Sequence, residues 1–524
     1  MKLKILILII FPVLSISLWQ TNLFAENYME QIGYMEGEHA RSFFGKHITS
    51  LDFNGDGYDD IIVSSQKYNP TGGYSEGKIY FYLGGEVFDS EVDFTLTGSD
   101  SNIVGSHVAN LGDLNNDGKE DLGITRHSYI TDERLIQILY GNLENDTIPD
   151  FEMAFSDDEY FYGYIRGLGD INHDGFDDAG ICISHSDPVI PLPIEFYIVY
   201  GGADSLTLEL FRICGESGVF GMSGVGDINN DGFDDFCVGY RLDSDEELYT
   251  NILYFGGDTI DTTIAVTLYE VENTNMNLGL PAGDLNNDSY ADFGGHFGSD
   301  IDIWFGKDTI TSQYDLTITS GSGGGALDYA FAHGDLNNDG YSDLVIGSPY
   351  YASYDGIAYL YMGSENPNNS IDLEFPSYTV NHEWGTAVTI GRFNGDEYDD
   401  VAISGPVYDV DQNPGYVYVF AGNDSLADTT VGVDDNEEFG ITNYELMNVY
   451  PNPSTKEINF EIKTQYINYL QIQIYNVKGQ LVEKINVKDR NFVWKAKETT
   501  SGVYLCKLVY KNKVLEVKKV TFVK

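Results

Sequence analysis

The residues best placed to do chemistry in this chain are acidic and recur at a fixed spacing. In Asp335-Leu336-Asn337-Asn338-Asp339-Gly340-Tyr341-Ser342-Asp343, side-chain oxygens stand at positions 1, 3, 5 and 9, and glycine stands at position 6. A hard cation such as calcium wants six to eight oxygens at about 2.3–2.6 Å, and alternate side chains of a tight loop can supply them. Position 7 can add its carbonyl, the glycine allows the positive φ of the sharp turn, and the last Asp can offer both oxygens.

A single such loop would be an ordinary Asp/Asn/Gly turn. Here it recurs. The same spacing holds Asp52, Asn54, Asp56 and Asp60; Asp113, Asn115, Asp117 and Asp121; and Asp170, Asn172, Asp174 and Asp178. It returns as Asp227, Asn229, Asp231 and Asp235; as Asp284, Asn286, Asp288 and Asp292; and as Asp335, Asn337, Asp339 and Asp343. A seventh copy ends at Asp400, and successive ninth positions lie 61, 57, 57, 57, 51 and 57 residues apart. Repetition in register is the mark of a repeat architecture. In the fifth copy Ser289 replaces glycine, making the turn costlier. In the seventh, Arg392 replaces the first Asp ahead of Asn394, Asp396, Asp399 and Asp400, and its guanidinium can take the cation's place. Five to six calcium ions are therefore expected, and none in the seventh loop.

The elements that must hold these loops are short strands. Each copy opens with an aromatic or apolar residue before glycine, as in Phe44-Gly45, Val104-Gly105 and Trp384-Gly385. After the loop comes an apolar run such as Ile61-Ile62-Val63, then a variable connection. A strand dense in β-branched and aromatic residues follows, such as Ile79-Tyr80-Phe81-Tyr82, and a last alternating strand such as Asp93 to Thr97. Four short strands per unit without helical periodicity predict an all-β fold. Seven four-stranded sheets set radially give a seven-bladed β-propeller with calcium loops. The last repeat lacks its own fourth strand, and the segment from Tyr28 to Tyr34 is expected to complete it.

The Phe-Gly pairs, the DxNxDGxxD loops and Gly347-Ser348-Pro349 (or Ser404-Gly405-Pro406) resemble the FG-GAP repeat of integrin α-subunit propellers and related bacterial VCBS-type proteins. The resemblance covers residues 28–422. It implies calcium loops between the first and second strands on one face. It also implies ligands bound on the opposite face, by connections between the second and third strands and between blades.

The chain divides by composition into an apolar leader at 1–25, the propeller at 26–422, an acidic linker at 423–445 and a tail at 446–524. The leader has Lys2 and Lys4 before a run from Ile5 to Trp19 and ends at Leu23-Phe24-Ala25, the form of a cleaved secretory signal. The mature chain is then expected to have no membrane span. Formal net charge is -55, yet the tail holds 14 Lys/Arg against 6 Asp/Glu and the remainder 14 against 77. So acidic a body is repelled by phosphate backbones, which argues against nucleic-acid binding. In the tail, Ile458 to Ile462, Gln471 to Tyr475 and Val503 to Val509 alternate as strands of a small β-sandwich, with a hairpin at 476–480. Tyr450-Pro451-Asn452-Pro453, Ile474-Tyr475-Asn476 with Gly479, Ser501-Gly502-Val503-Tyr504 and Lys518-Lys519-Val520 resemble the C-terminal sorting domain of type IX secretion substrates. That likeness implies export through the type IX secretion machinery and a secreted or cell-surface location.

Beyond the loops no catalytic constellation is visible, and the nine histidines share no pattern. His173, at position 4 of the third loop, is expected to point into solvent. Cys182, Cys214 and Cys237 are read as buried free thiols, although export would permit a disulfide. Tyr68, Tyr74, Tyr129, Tyr240, Tyr249, Tyr350, Tyr351, Tyr354 and Tyr408 fall in variable connections, where exposed tyrosines would suit a glycan or surface-protein ligand. The expected role is calcium-stabilised recognition or adhesion. The alternative is a polysaccharide lyase or hydrolase with its acid/base pair hidden among the carboxylates.

Overall fold

A computed structural model of the chain describes residues 29–426 apart from 70–74, 100–101, 129–133, 143–147, 156–160, 187–190, 215–220, 244–247, 264, 273–275, 298–299, 320–329, 378–382 and 407–413. It also describes 447–522 apart from 451–456, 463–469, 477–480, 489, 496–501 and 511–512. The apolar leader, most of the acidic linker and Tyr74, Tyr129 and Tyr408 lie outside these residues. The chain forms two compact units, Met1–Gly432 and Val433–Lys524.

The first unit is all-β and propeller-like. Among its described residues stand seven four-stranded antiparallel sheets and one single-turn helix, Tyr351–Tyr354. Six sheets are built from consecutive strands. In the first, Phe44–Leu51, Asp60–Ser65, Lys78–Tyr82 and Phe94–Thr97 pair in chain order. The seventh takes Val388–Gly391, Asp400–Gly405 and Tyr416–Phe420 from the end of the repeats and Gln31–Glu36 from their beginning. Tyr34 sits opposite Tyr418 and Glu36 opposite Tyr416, so the start of the chain closes the last sheet as expected.

Packing shows how the sheets are arranged. The second strands Asp60–Ser65, Asp343–Ser348 and Asp400–Gly405 are buried on both faces, which is why they read as nearly unbroken apolar runs rather than alternations. Their residues serve two interfaces in turn. Ile61 and Val63 join a cluster with Val417 and Val419 of the seventh sheet, while Ile62 joins one with Val104, Val108 and Leu122 of the second. Further clusters fill the gaps between each successive pair, ending with Trp384 and Val401 of the seventh sheet against Val345 and Leu360 of the sixth. The first strands also neighbour one another in cyclic order, Val388–Gly391 lying beside Phe44–Leu51. The sheets thus close into a ring with their first strands innermost. The core is a circle of apolar interfaces, and the acidic first-to-second-strand loops share one end of it.

The second unit is a sandwich. Met447–Tyr450, Glu457–Ile462 and Asn491–Lys495 form one sheet; Leu481–Asn486, Leu470–Asn476, Gly502–Tyr510 and Lys513–Phe522 form the other. Ile458, Phe460, Ile472, Ile474, Trp494, Cys506 and Leu508 fill one core between them.

Candidate metal centres

In loops one to six the position-1 carboxylate organises the turn. Asp52 Oδ1 accepts from the Gly55 and Asp56 amides at 2.8 and 3.0 Å, and Oδ2 accepts from Gly57 at 2.9 Å. Asp335 accepts from Asp339 and Gly340 at 3.0 and 2.9 Å. Asp113, Asp170, Asp227 and Asp284 do the same for the amides of positions 5 and 6. Asn54, Asn115, Asn172, Asn229, Asn286 and Asn337 accept from the position-5 amide. The position-5 carboxylates Asp56, Asp117, Asp174, Asp231, Asp288 and Asp339 accept from position 7. Positions 4 and 6 take left-handed backbone, as Asn338 at φ 55° and Gly340 at φ 89°. Ser289 adopts φ 74° in glycine's place, so the fifth loop keeps the shape at the cost of a strained residue. His173 at position 4 is exposed, as expected.

Position 9 is fully buried in every copy. The Asp60 carboxylate ties the loop to the end of the third strand, one oxygen accepting from Gly84 at 2.8 Å and the other from Phe53 at 3.1 Å. Asp121, Asp178, Asp235, Asp292 and Asp343 repeat both bonds. Burial, only partly offset by these amides and reinforced by the carboxylates at positions 1 and 5, pushes Asp60, Asp121 and Asp235 up to about 8. The same causes push Asp178 and Asp292 up to about 7 and hold Asp343 well above the usual carboxylate range.

The seventh loop departs twice, for Glu397 stands where the others have glycine or serine, a difference the spacing argument passed over. Neither Gly395 nor Glu397 takes positive φ, and an Arg392 Nη2–H donates to the Asp396 carbonyl at 3.3 Å, so the guanidinium crosses its own loop.

Position 8, which the sequence reading left without a role, joins each loop to the one before it. Asp177 accepts from the Asp113 amide at 2.7 Å and its own amide donates to the Asp113 carbonyl. Glu120 does this for Asp52, Asp234 for Asp170, Ser342 for Asp284 and Asp399 for Asp335. Asp59 does it for Arg392, which closes the circle. Ala291 keeps only the backbone bond, to Asp227. Glycine before position 1 makes room, because a Cβ on Gly112 would lie 2.1 Å from Asp177 Oδ2.

The donor set of each of the first six loops is oxygen only, with three carboxylates within nine residues. Among the described residues the one ion pair within these loops is Lys119 Nζ to Asp117 at 3.0 Å. A carboxylate has about four lone-pair sites, so one or two amide bonds leave capacity for a cation. The chemistry of the set fits calcium. As they stand the carboxylates are turned to backbone amides, and no three His, Cys, Asp or Glu side chains among the described residues converge closely enough to grip an ion.

The other candidate residues fall differently. Cys182, Cys237 and Cys506 are buried, while the side chain of Cys214 lies outside the described residues. Tyr68 is buried, bonded to Glu38 and facing Lys78, and Tyr240 is buried beneath Arg212. Neither is available as an exposed ligand contact, and each has a cation over its ring. Tyr249 and Tyr351 are half-buried. Tyr350 and Tyr354, 38% and 55% exposed, pack edge to face with ring centroids 5.4 Å apart.

Comparison with known proteins agrees with the repeats and the tail. Residues 328–361 match the FG-GAP repeat, residues 52–124 the FG-GAP-like repeat, and residues 448–523 the secretion system C-terminal sorting domain, which implies export. Integrin alpha-4 of Xenopus laevis is 31% identical over 166 residues, covering 30% of this chain and 16% of that protein. Integrin alpha-5 of Xenopus laevis is 36% identical over 93 residues, covering 17% and 9%, so this chain spans a small part of either relative. A solved structure described as PorZ, an essential bacterial surface component of the type-IX secretion system of Porphyromonas gingivalis, is 11% identical. It covers 89% of this chain and 58% of that one at a TM-score of 0.32, a likeness too weak to carry an argument. No helix among the described residues is long and apolar enough to cross a membrane. The chain is an FG-GAP-repeat protein, homologous in part to integrin alpha chains, that ends in a secretion system C-terminal sorting domain.

Proposed function

We propose that this protein is a calcium-stabilised seven-bladed propeller, exported with its C-terminal domain as the sorting signal, that recognises a glycan or protein at the cell surface. Asp52, Asp113, Asp170, Asp227, Asp284 and Asp335 head the loops that take calcium, with the residues at positions 3, 5 and 9, and the seventh loop uses Arg392 instead. The ions act as staples that neutralise clustered carboxylates and fix the turns.

The observation that carries the recognition reading is the Tyr350–Tyr354 pair. It stands on the connection after Asp343–Ser348, at the end of the sheet away from the acidic loops. Tyr354 is held at φ 75° and Ala352 at φ 51°, conformations that cost bulky or Cβ-bearing residues roughly 1–3 kcal/mol and cluster at ligand clamps. An exposed pair of phenol rings offers stacking faces and hydroxyls to a sugar or a partner side chain. The test mixes the protein with insoluble polysaccharides and bacterial surface fractions, in calcium and in EDTA. Protein lost from solution and new reducing or unsaturated ends are read from the same tubes. Recognition requires calcium-dependent depletion that Tyr354→Ala weakens, without new ends. New ends would replace it with the lyase or hydrolase reading.

A further inference from the structure

The inner rim of the ring carries a feature that neither calcium nor surface recognition explains. The first strands align by register, and in three consecutive sheets the residue opposite the fourth position beyond the buried Asp bears a ring. These are His47, whose amide donates to Ser64 Oγ; His107, opposite Thr125; and Tyr164, opposite Cys182. The rings meet in sequence around the circle, His47 to His107 at 5.3 Å and His107 to Tyr164 at 5.3 Å between centroids. Two residues beyond Tyr164, on the same face of its strand, stands Arg166. At the matching position the other four sheets carry Gly221, Asn277, Ala330 and Ala387, so the rings are confined to one arc of the rim.

Arg166 keeps open surface yet is crowded by protein, whose burial lowers its pKa. It makes no hydrogen bond or ion pair among the described residues, and the charges that act on it and on the two histidines include no carboxylate. Lys46, beside His47, is answered by Glu383, but Arg166 is not answered. His107 is 5% exposed, and its Nδ1 has no partner. In a chain with 83 acidic and 28 basic side chains, an inner-rim arginine on which no acid acts is a conspicuous exception. An exposed guanidinium with no carboxylate acting on it is open to an anion, and its planar fork suits an oxyanion.

We propose that His47, His107, Tyr164 and Arg166 form an oxyanion site on the axis of the ring, taking a carboxylate or a sulfate group from a small solute or an acidic sugar. Arg166 supplies the paired N–H donors, and the imidazoles supply single donors beside them. The site is separate from the acidic loops, which would repel such a ligand.

Titration calorimetry on the full chain, at constant ionic strength in sodium chloride, tests this with glucuronate, sulfate and neutral glucose as probes. Saturable binding of glucuronate or sulfate but not glucose is expected, and Arg166→Gln should weaken it at least tenfold while the circular-dichroism spectrum stays native. If glucuronate alone binds, the carboxylate is the ligand group; if sulfate alone binds, the tetrahedral oxyanion is. Should Arg166→Gln not fold, Arg166→Lys keeps the charge without the fork and should still weaken binding severalfold. No saturable binding of either anion, or unchanged affinity in the folded variant, overturns the proposal.

Discussion

Removing calcium while varying pH probes the loops most directly. The position-9 carboxyls are raised above their unfolded value of about 3.9, with Asp60, Asp121 and Asp235 at about 8 and Asp178 and Asp292 at about 7. A raised acid holds its proton more tightly in the folded state. Its contribution to stability is therefore complete below the unfolded pKa and is lost as pH rises toward the folded one. Each such group lowers stability by up to about 1.4 kcal/mol per pH unit in that window. Five groups between about pH 5 and pH 7 then remove roughly 14 kcal/mol, comparable with the entire 5–15 kcal/mol of a typical domain. Even a third of that leaves the cation-free ring marginal at neutral pH. Bound calcium reverses the sense, since ligands must be deprotonated. Thermal unfolding of the full chain followed by circular dichroism, in EDTA and in calcium, should show midpoints falling with pH in EDTA alone. The gap between the two should widen from about pH 5 to about pH 7. A gap independent of pH, or midpoints that rise with pH in EDTA, would refute the reasoning.

Other consequences are simpler to read. Calcium stoichiometry by calorimetry should lie at five to six. Arg392→Asp alone should add no ion, because Glu397 still occupies the turn, whereas Arg392→Asp with Glu397→Gly should add one. Asp234→Ala removes an acceptor 2.9 Å from the Asp170 amide; a bond to a charged group is worth about 1.5–3 kcal/mol. Relief of a carboxylate that burial and three neighbouring Asp residues already destabilise reduces the loss to about 1 kcal/mol by urea midpoint. A thiol reagent should leave Cys182, Cys237 and Cys506 unmodified in the native protein and modify them on unfolding. Fast native labelling of Cys237, whose thiol burial pushes far up, would contradict its place in the core.

Much of this could be read from residue order because the loops are local. Oxygen donors at positions 1, 3, 5 and 9 with glycine at 6 define a turn that nine residues complete among themselves, and its period gave the sheets. Closure by Gln31–Glu36 was legible as a missing strand at one end and a spare one at the other. Position 8 was not, since Asp177, Glu120, Ser342 and Ala291 share no side chain, only an amide that meets the preceding loop. The rim of His47, His107, Tyr164 and Arg166 was equally hidden: register, which depends on bulges after Phe44 and Val104, brings its members level. Position in the repeat also says nothing about burial, and Tyr68 and Tyr240 lie under cations contributed by Lys78 and Arg212 from neighbouring strands.

The seam of the ring has a consequence for assembly order. Six sheets can form as the chain lengthens, but the seventh must wait for Gln31–Glu36 and Tyr416–Phe420 to meet across nearly four hundred residues. The loop at that seam is the one in which Arg392 brings its own positive charge. The strand pairing that turns an open arc into a circle thus sits beside the one loop headed by an arginine, so this sheet should depend less on any ion than the other six.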